Sequence, residues 1–153
     1  MQSDVIILGG GLVGLTLALA LDAHGLSATI VDPADPAKVL APEFDGRASA
    51  IASASWSMLQ AIGLGERLAG QGCAISAIRV SDGLKPGALD FAPGADDEPL
   101  GIMFENRLLR QTLHAATRDA QNVELLMPAR PVATERTEGG VRGAGSRARI
   151  ESR

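Results

Sequence analysis

The stretch from Val5 to Leu15, VIILGGGLVGL, constrains this chain more than any other. Val5 to Leu8 is a short, continuously apolar, largely β-branched run, the pattern of a strand buried on both faces. Gly9, Gly11 and Gly14 follow in G-x-G-x-x-G spacing. Leu12 to Ala23 (LVGLTLALALDA) reads as a helix that is apolar almost all round, and such a helix is expected to be buried. His24 closes it, and Gly25 suits the left-handed position just beyond a helix end. Ala28 to Val31 is a second apolar run, stopped by Asp32 and Pro33. Strand, glycine turn, helix and strand within about 30 residues form a βαβ unit, whose two strands should be parallel.

A membrane segment is the competing reading, because the 17 residues from Val5 to Leu21 carry no charge. That is short of the roughly 20 apolar residues a spanning helix needs. No Lys or Arg precedes it, whereas an export signal begins with a positive region. Glycines in its middle would also weaken a lipid-exposed helix. The buried strand and helix are favoured.

G-x-G-x-x-G alone is a weak signal; its place between a strand and a helix, with an acid ending the next strand, makes it credible. Gly9 permits the tight turn out of the strand, Gly11 lets backbone approach a pyrophosphate, and Gly14 allows the helix to pack closely on the strand. The helix start then offers backbone N–H groups and a positive dipole end to phosphate, with Leu12 and Val13 in its first turn. Asp32, 18 positions after Gly14, can accept hydrogen bonds from ribose hydroxyls. The plainer alternative is a structural glycine turn, with Asp32 merely opening a turn before Pro33. These grips do not separate NAD from FAD.

Residues 33 to 46 hold three prolines and read as a loop. Ser49 to Ile62 (SAIASASWSMLQAI) reads as a helix, broken by Gly63-Leu64-Gly65, with a further helical turn over Glu66 to Ala69. Arg47, at the mouth of the longer helix, either lies over a cofactor phosphate or pairs with Asp45 or Glu43. Ile75 to Ser81 alternates like a strand, and residues 83 to 99 suggest a hairpin tip or excursion. Leu100 to Phe104 reads as a strand, and Asn106 to Ala120 is an amphipathic helix with Leu108, Leu109, Leu113 and Ala116 on one face. Val123 to Leu126 and Pro131 to Arg136 read as strands. The remainder, 139–153, is small and basic, holding with Arg136 five of the fourteen basic residues, and reads as an irregular tail rather than a nucleic-acid arm.

Composition excludes several classes. The formal net charge of -4 provides no field for nucleic acid, and 3% aromatic residues without a single Tyr provide no base-stacking surface. Cys73 is the only cysteine, so neither an internal disulfide nor paired-cysteine metal spacing is available. A reducing, cytoplasmic setting follows as the expectation. No metal site is expected. His24 and His114 have no paired group and read as packing or surface residues, and Cys73 has no basic neighbour to activate it.

GGGLVG with Asp32, then DGRASAIA, LQAIGLGERL and EPLGIMFENRLLRQTL, resembles the N-terminal part of the FAD-dependent aromatic hydroxylases. Among them it is most similar to the ubiquinone-biosynthesis group, the 2-octaprenylphenol and 2-octaprenyl-6-methoxyphenol hydroxylases. The resemblance covers about the first 135 residues. It implies an α/β, Rossmann-like FAD/NAD(P)-binding domain with a parallel sheet, incomplete, plus a small piece of a β-rich substrate domain. The implied division is 1–74 and 105–138 for the FAD-binding domain, 75–104 for the substrate-domain piece, and 139–153 for the tail. It further implies that Gly9, Gly11 and Gly14, with Leu12 and Val13, hold the FAD pyrophosphate, and Asp32 the adenosine ribose. Arg47 matches the arginine of the family's loop-to-helix motif, and Asn106, beside Arg107, stands where relatives place a polar residue against FAD. Asn106 would serve equally as a helix N-cap. Asp32 replaces the glutamate common in relatives.

The activity implied is hydroxylation of a phenolic or polyprenyl-phenol ring, with FAD as cofactor, NAD(P)H as reductant and molecular oxygen as co-substrate. The flavin supplies the difficult chemistry and the protein supplies orientation and electrostatics. The catalytic residues are left unassigned. Relatives continue past this point with a Gly-Asp motif that contacts the flavin end, and nothing here matches it. The expectation is a cytoplasmic fragment, inactive alone and without a transmembrane segment, whose full-length protein associates peripherally with a membrane or with a biosynthetic complex. Two alternatives stand beside it: an NAD-binding dehydrogenase, and a noncatalytic adenine-dinucleotide binding module.

Overall fold

The computed structural model describes the chain except for residues 1, 42, 44, 84–86, 95–96, 139, 146–148 and 153. The elements in order are β1 (Gln2–Ser3), β2 (Val5–Leu8), α1 (Leu12–Ala23), β3 (Ala28–Val31), α2 (Pro36–Val39), β4 (Ala48–Ala52), α3 (Ser53–Ala61), α4 (Gly65–Leu68), β5 (Cys73–Ile75), β6 (Ile78–Val80), β7 (Leu89–Phe91), β8 (Gly101–Glu105), α5 (Asn106–Asp119), β9 (Val123–Leu126), β10 (Pro131–Thr137), β11 (Gly140–Gly145) and β12 (Arg149–Ser152). They divide into two compact units, Met1–Glu43 with Arg107–Arg153, and Phe44–Asn106.

The first unit is built on a parallel sheet in the order β2-β3-β9. Val5 to Leu8 pair in register with Ala28 to Val31, which pair with Val123 to Leu126. Every residue of β3 is buried, as expected for the middle strand of a covered parallel sheet. α1 lies on this sheet through Leu15, Ala18 and Leu19. Its apolar composition does not translate into burial all round: Val13 is 83% and Leu17 47% exposed. A helix resting on one sheet covers only one stripe of its surface, whatever the composition of the rest. Gly25, at φ +75°, takes the left-handed place after His24. α5 buries Leu109, Leu113 and Ala116, and His114 and Thr117 join that face. It is tied to the end of α2 by hydrogen bonds from Arg110 Nε to Val39 O and from Gln111 Nε2 to Leu40 O. α2 itself, capped by Asp35, occupies part of the region expected to be loop.

The region expected as an irregular tail forms strands instead. β10 pairs with β11, β11 with β12, and β12 runs parallel to β1, with Gln2 opposite Glu151. β10 falls where a strand over Pro131 to Arg136 is expected, whereas the small and glycine-rich residues of β11 give no alternating pattern to read, so pairing rather than side-chain periodicity defines that strand. Gly139, residues 146–148 and Arg153 lie outside the described residues.

The second unit carries the antiparallel sheet β4-β8-β5 and the pair β6-β7. Ala48 to Ala52 is a strand rather than the start of a helix, paired with Glu105 back to Gly101, and the helix begins only at Ser53. Ala and Ser carry no strong strand signal, so the partner strand decides. The approach is close, since a Cβ on Gly101 would lie 2.3 Å from Ile51 O. The expected strand over Ile75 to Ser81 is two strands, β5 and β6, that belong to different sheets. Leu59, Leu64, Leu68 and Phe104 form the buried centre of this unit.

Candidate functional site

The glycine turn joins β2 to α1. Gly9 has φ +115°, a conformation open to glycine and costly for other residues, and its N–H bonds Val31 O at 2.9 Å. Gly14 faces inward: a Cβ there would lie 2.0 Å from the carbonyl oxygen of Gly9 and 3.3 Å from Ile7 Cγ2. Only glycine lets α1 approach the strand this closely. Gly11 is the opposite case, with nothing within 4 Å of where its Cβ would be. One glycine serves packing, and the other leaves open space in front of the helix.

α1 starts without compensation. Its N-cap is Gly11, no side chain caps it, and its first turn holds no acid. The first helical hydrogen bond runs from Leu15 N–H to Gly11 O at 3.0 Å. The N–H groups of Leu12, Val13 and Gly14 precede it, the position where helices bind anions.

Asp32 closes the site from β3. Its Oδ2 accepts the Gly10 N–H at 2.6 Å and its Oδ1 the Ala34 N–H at 2.7 Å. Its backbone is held too, with Asp32 N–H on Leu126 O at 3.1 Å and Asp32 O accepting from Ala129 N–H at 2.7 Å. Asp32 therefore does open a turn before Pro33, and it also fastens the glycine loop. A carboxylate has about four acceptor positions, so this anchoring leaves capacity for hydroxyl donors. Gly10 is the residue that motif reasoning passed over, because the x of G-x-G is unspecified. Its N–H makes the bond to Asp32, and a Cβ on it would sit 3.1 Å from Asp32 Cβ. Three consecutive glycines were the available signal.

His114 is also in this unit, 2% exposed, with Nε2 lacking a hydrogen-bond partner. Burial pushes its pKa below the ordinary value, the charge of Arg118 adds to that, and Asp32 opposes it. His24, by contrast, is exposed.

The remaining candidates belong to the second unit. Arg47 pairs with Asp45: its Nε and Nη2 donate to Asp45 Oδ2 at 3.2 and 2.9 Å. Asn106 opens α5, its N–H bonding Arg47 O at 3.0 Å while its Oδ1 accepts the Ser49 hydroxyl at 2.6 Å. Ser49 was not among the expected site residues, since a serine in an apparent helix carries no distinguishing signal. Arg107 begins the chain's return to the first unit. Cys73 is exposed on β5. Among the described residues no group of His, Cys, Asp and Glu could hold a metal ion, and no helix is long and apolar enough to cross a membrane.

A turn of this shape before an uncapped helix, with an anchored carboxylate on the next strand, is suited to a diphosphate and its ribose. Comparison with known proteins agrees with that chemistry. The family model of the FAD binding domain matches residues 2–144. This chain belongs to that family. The FAD-binding domain is similar to ubiquinone hydroxylase UbiL of Rhodospirillum rubrum, at 45% identity over 139 residues, which is 91% of this chain and 32% of that protein. It is 32% identical over 136 residues to the 3-demethoxyubiquinol 3-hydroxylase of Escherichia coli, covering 88% of this chain and 35% of that one. The chain thus spans about a third of the length of these relatives. Among solved structures, pqsL, a probable FAD-dependent monooxygenase from Pseudomonas aeruginosa, matches 99% of this chain and 41% of its own, with a TM-score of 0.77 at 20% identity. The flavin-dependent monooxygenase PieE, solved with FAD and substrate, gives a TM-score of 0.72 at 20% identity, covering 99% of this chain and 29% of its own. These structural likenesses establish the fold.

Proposed function

We propose that this chain is the part of an aromatic-ring hydroxylase that grips the adenosine-diphosphate end of FAD. The observation that carries this is the pairing of an uncapped α1 start with Asp32 held by the Gly10 and Ala34 N–H groups. Gly9 shapes the turn, and Gly11 leaves room for a pyrophosphate. The N–H groups of Leu12, Val13 and Gly14 face its charge, and Asp32 accepts from the ribose hydroxyls. The residues present fit that half of the cofactor. When bound, FAD supplies the redox and oxygen-activating chemistry. Arg47 and Asn106, engaged by Asp45 and Ser49 in the second unit, carry no part of this reading.

The activity of the whole protein is inferred from the relatives: hydroxylation of a phenolic or polyprenyl-phenol ring in ubiquinone biosynthesis, with NAD(P)H as reductant and oxygen as co-substrate. The second unit is read as belonging in part to the substrate domain, and the setting as cytoplasmic with peripheral membrane association. The present chain, about a third as long as those relatives, is expected to bind without turning over.

Purifying the 153-residue chain and titrating it calorimetrically with FAD, ADP and NAD tests this. Binding of FAD and ADP with similar affinity, lost together in Gly11→Ala, is expected. NAD binding without FAD binding would favour a dehydrogenase, and oxidation of NAD(P)H by the chain alone would overturn the division of labour.

A further inference from the structure

The second unit holds a groove of about 450 Å3 between α3 and α4, lined by Trp56, Gln60, Gly63, Gly65, Glu66 and Ala69. None of these residues takes part in the dinucleotide grip. Trp56 and Gln60 are one helical turn apart on α3 and so share a face, while Glu66 joins the lining from the first turn of α4. The indole is braced by Phe104, with ring centroids 5.6 Å apart and planes tilted by 33°, and Phe104 is itself 1% exposed. Gly63, at φ +83°, makes the turn between the helices. Gly65 brings α4 so near that a Cβ there would lie 2.9 Å from Gln60 Cγ. The floor therefore lacks large side chains, while the walls offer an aromatic face, an amide and a carboxylate.

We propose that this groove is a docking site for an arginine side chain presented by a protein partner. Three features select that chemistry. The Glu66 carboxylate attracts a cation and repels phosphate or acidic groups. The Trp56 face favours a cation that is flat, because a guanidinium stacks on an indole while an ammonium meets it as a hydrated point charge. Gln60 adds an amide oxygen to the same lining as the carboxylate, and both can accept from a group with five N–H donors. The open glycine floor admits the backbone on either side of the arginine, which favours a polypeptide over a free small cation. Glu66 and Gln60 are exposed, so each contact is screened and the interaction is weak and salt-dependent.

The chain provides its own reporter, since Trp56 is its only tryptophan and it has no tyrosine. Emission of Trp56 in the full chain is followed during titration with N-acetyl-arginine methylamide, the matching lysine and citrulline compounds, and the peptide Gly-Gly-Arg-Gly-Gly. A saturable change is expected with both arginine probes, the peptide binding tighter, with the lysine compound weaker by about fivefold and citrulline silent. Glu66→Gln should weaken the arginine probes by about threefold or more, with the circular dichroism spectrum unchanged because Glu66 is exposed. Gln60→Ala should reduce affinity less. Equal or non-saturating responses to all probes, or unaltered affinity in Glu66→Gln, would sink the proposal. Binding of the capped amino acid but not the peptide would overturn the protein-partner reading.

Discussion

The parallel sheet of the first unit and the paired strands of the second unit are built from runs of similar length, yet they relate to solvent in opposite ways. All four residues of β3 are buried, whereas every residue of β6 and β7 is exposed. In β3 the same side chains define the strand, fill the core and position Asp32. In β6-β7, Ile78 faces Phe91 and Val80 faces Leu89 on one side, while Arg79 meets Asp90 on the other. Stability in the first unit should therefore be concentrated in a few positions, and in the β6-β7 pair it should be spread thinly.

The largest effect should come from Ile30→Ala. Ile30 is 0% exposed at the centre of the middle strand, so both the lost transfer energy and the residual cavity count, about 4 kcal/mol together. Urea denaturation followed by far-ultraviolet circular dichroism would measure it. A loss below about 1 kcal/mol would mean that the sheet collapses around the gap and that β3 is not the keystone described.

Gly14→Ala and Gly11→Ala divide the glycine motif into its two tasks. At Gly14 a methyl group meets backbone oxygen 2.0 Å away, and backbone cannot swing aside as a side chain can. A cost of about 3 kcal/mol is expected, the upper part of the overpacking range. At Gly11 the methyl meets nothing, and the cost should be about 1 kcal/mol or less, mostly from poorer N-capping. Its effect should fall on nucleotide affinity instead, by about tenfold or more, because the methyl would occupy the space a pyrophosphate needs. Equal stability losses for the two variants would erase this distinction.

The contrast between units also explains what could be read from sequence. Val5-Ile6-Ile7-Leu8 and Ala28-Thr29-Ile30-Val31 announce buried strands because burial on both faces demands continuous apolar residues, and α1 was found to the residue, Leu12–Ala23. Gly9, Gly11, Gly14 and Asp32 were legible because a turn, a close approach and an acid at a strand end each restrict residue type. Ala48 to Ala52 was not legible. Its small residues pack against Gly101, a neighbour nearly fifty positions away, and that contact leaves no local trace. The Arg47–Asp45 pair was legible only as an option, since charge spacing does not state which partner an arginine chooses. The strand β11 was missed for a related reason: its glycines and Ala144 give a pairing no face to display, while β12, four residues with one apolar member, is too short to show an alternation.

A smaller effect is expected from pH. His114 is buried without a partner for Nε2, and its pKa is lowered, by burial first and Arg118 second. Below the ordinary imidazole value of about 6.5 the unfolded chain takes up the proton before the folded one does. The stability tied to neutral His114 is therefore complete above that pH and is lost as pH falls towards the depressed folded value. Denaturation midpoints measured from about pH 7 down to about pH 5 should decline, and the decline should flatten in His114→Leu. An unchanged slope in that variant would assign the acid sensitivity to other groups.

The smallest effect tests the exposed end of the comparison. Arg79 Nε and Nη2 reach Asp90 at 2.6 and 3.0 Å, and this hydrogen-bonded contact raises the Arg79 pKa. Geometry that good invites the inference that the bridge holds β6 to β7. Yet the side chains are 74% and 58% exposed, so water competes for every donor and acceptor, and ordering two flexible side chains offsets the attraction. Asp90→Asn should leave the denaturation midpoint where it was, in low salt and in high. A midpoint that falls in low salt and recovers relative to the parent in high salt would show that the ion pair, rather than the Ile78–Phe91 and Val80–Leu89 pairs, sets the register of these strands. The β6-β7 pair would then depend on one contact as strongly as the parallel sheet depends on Ile30.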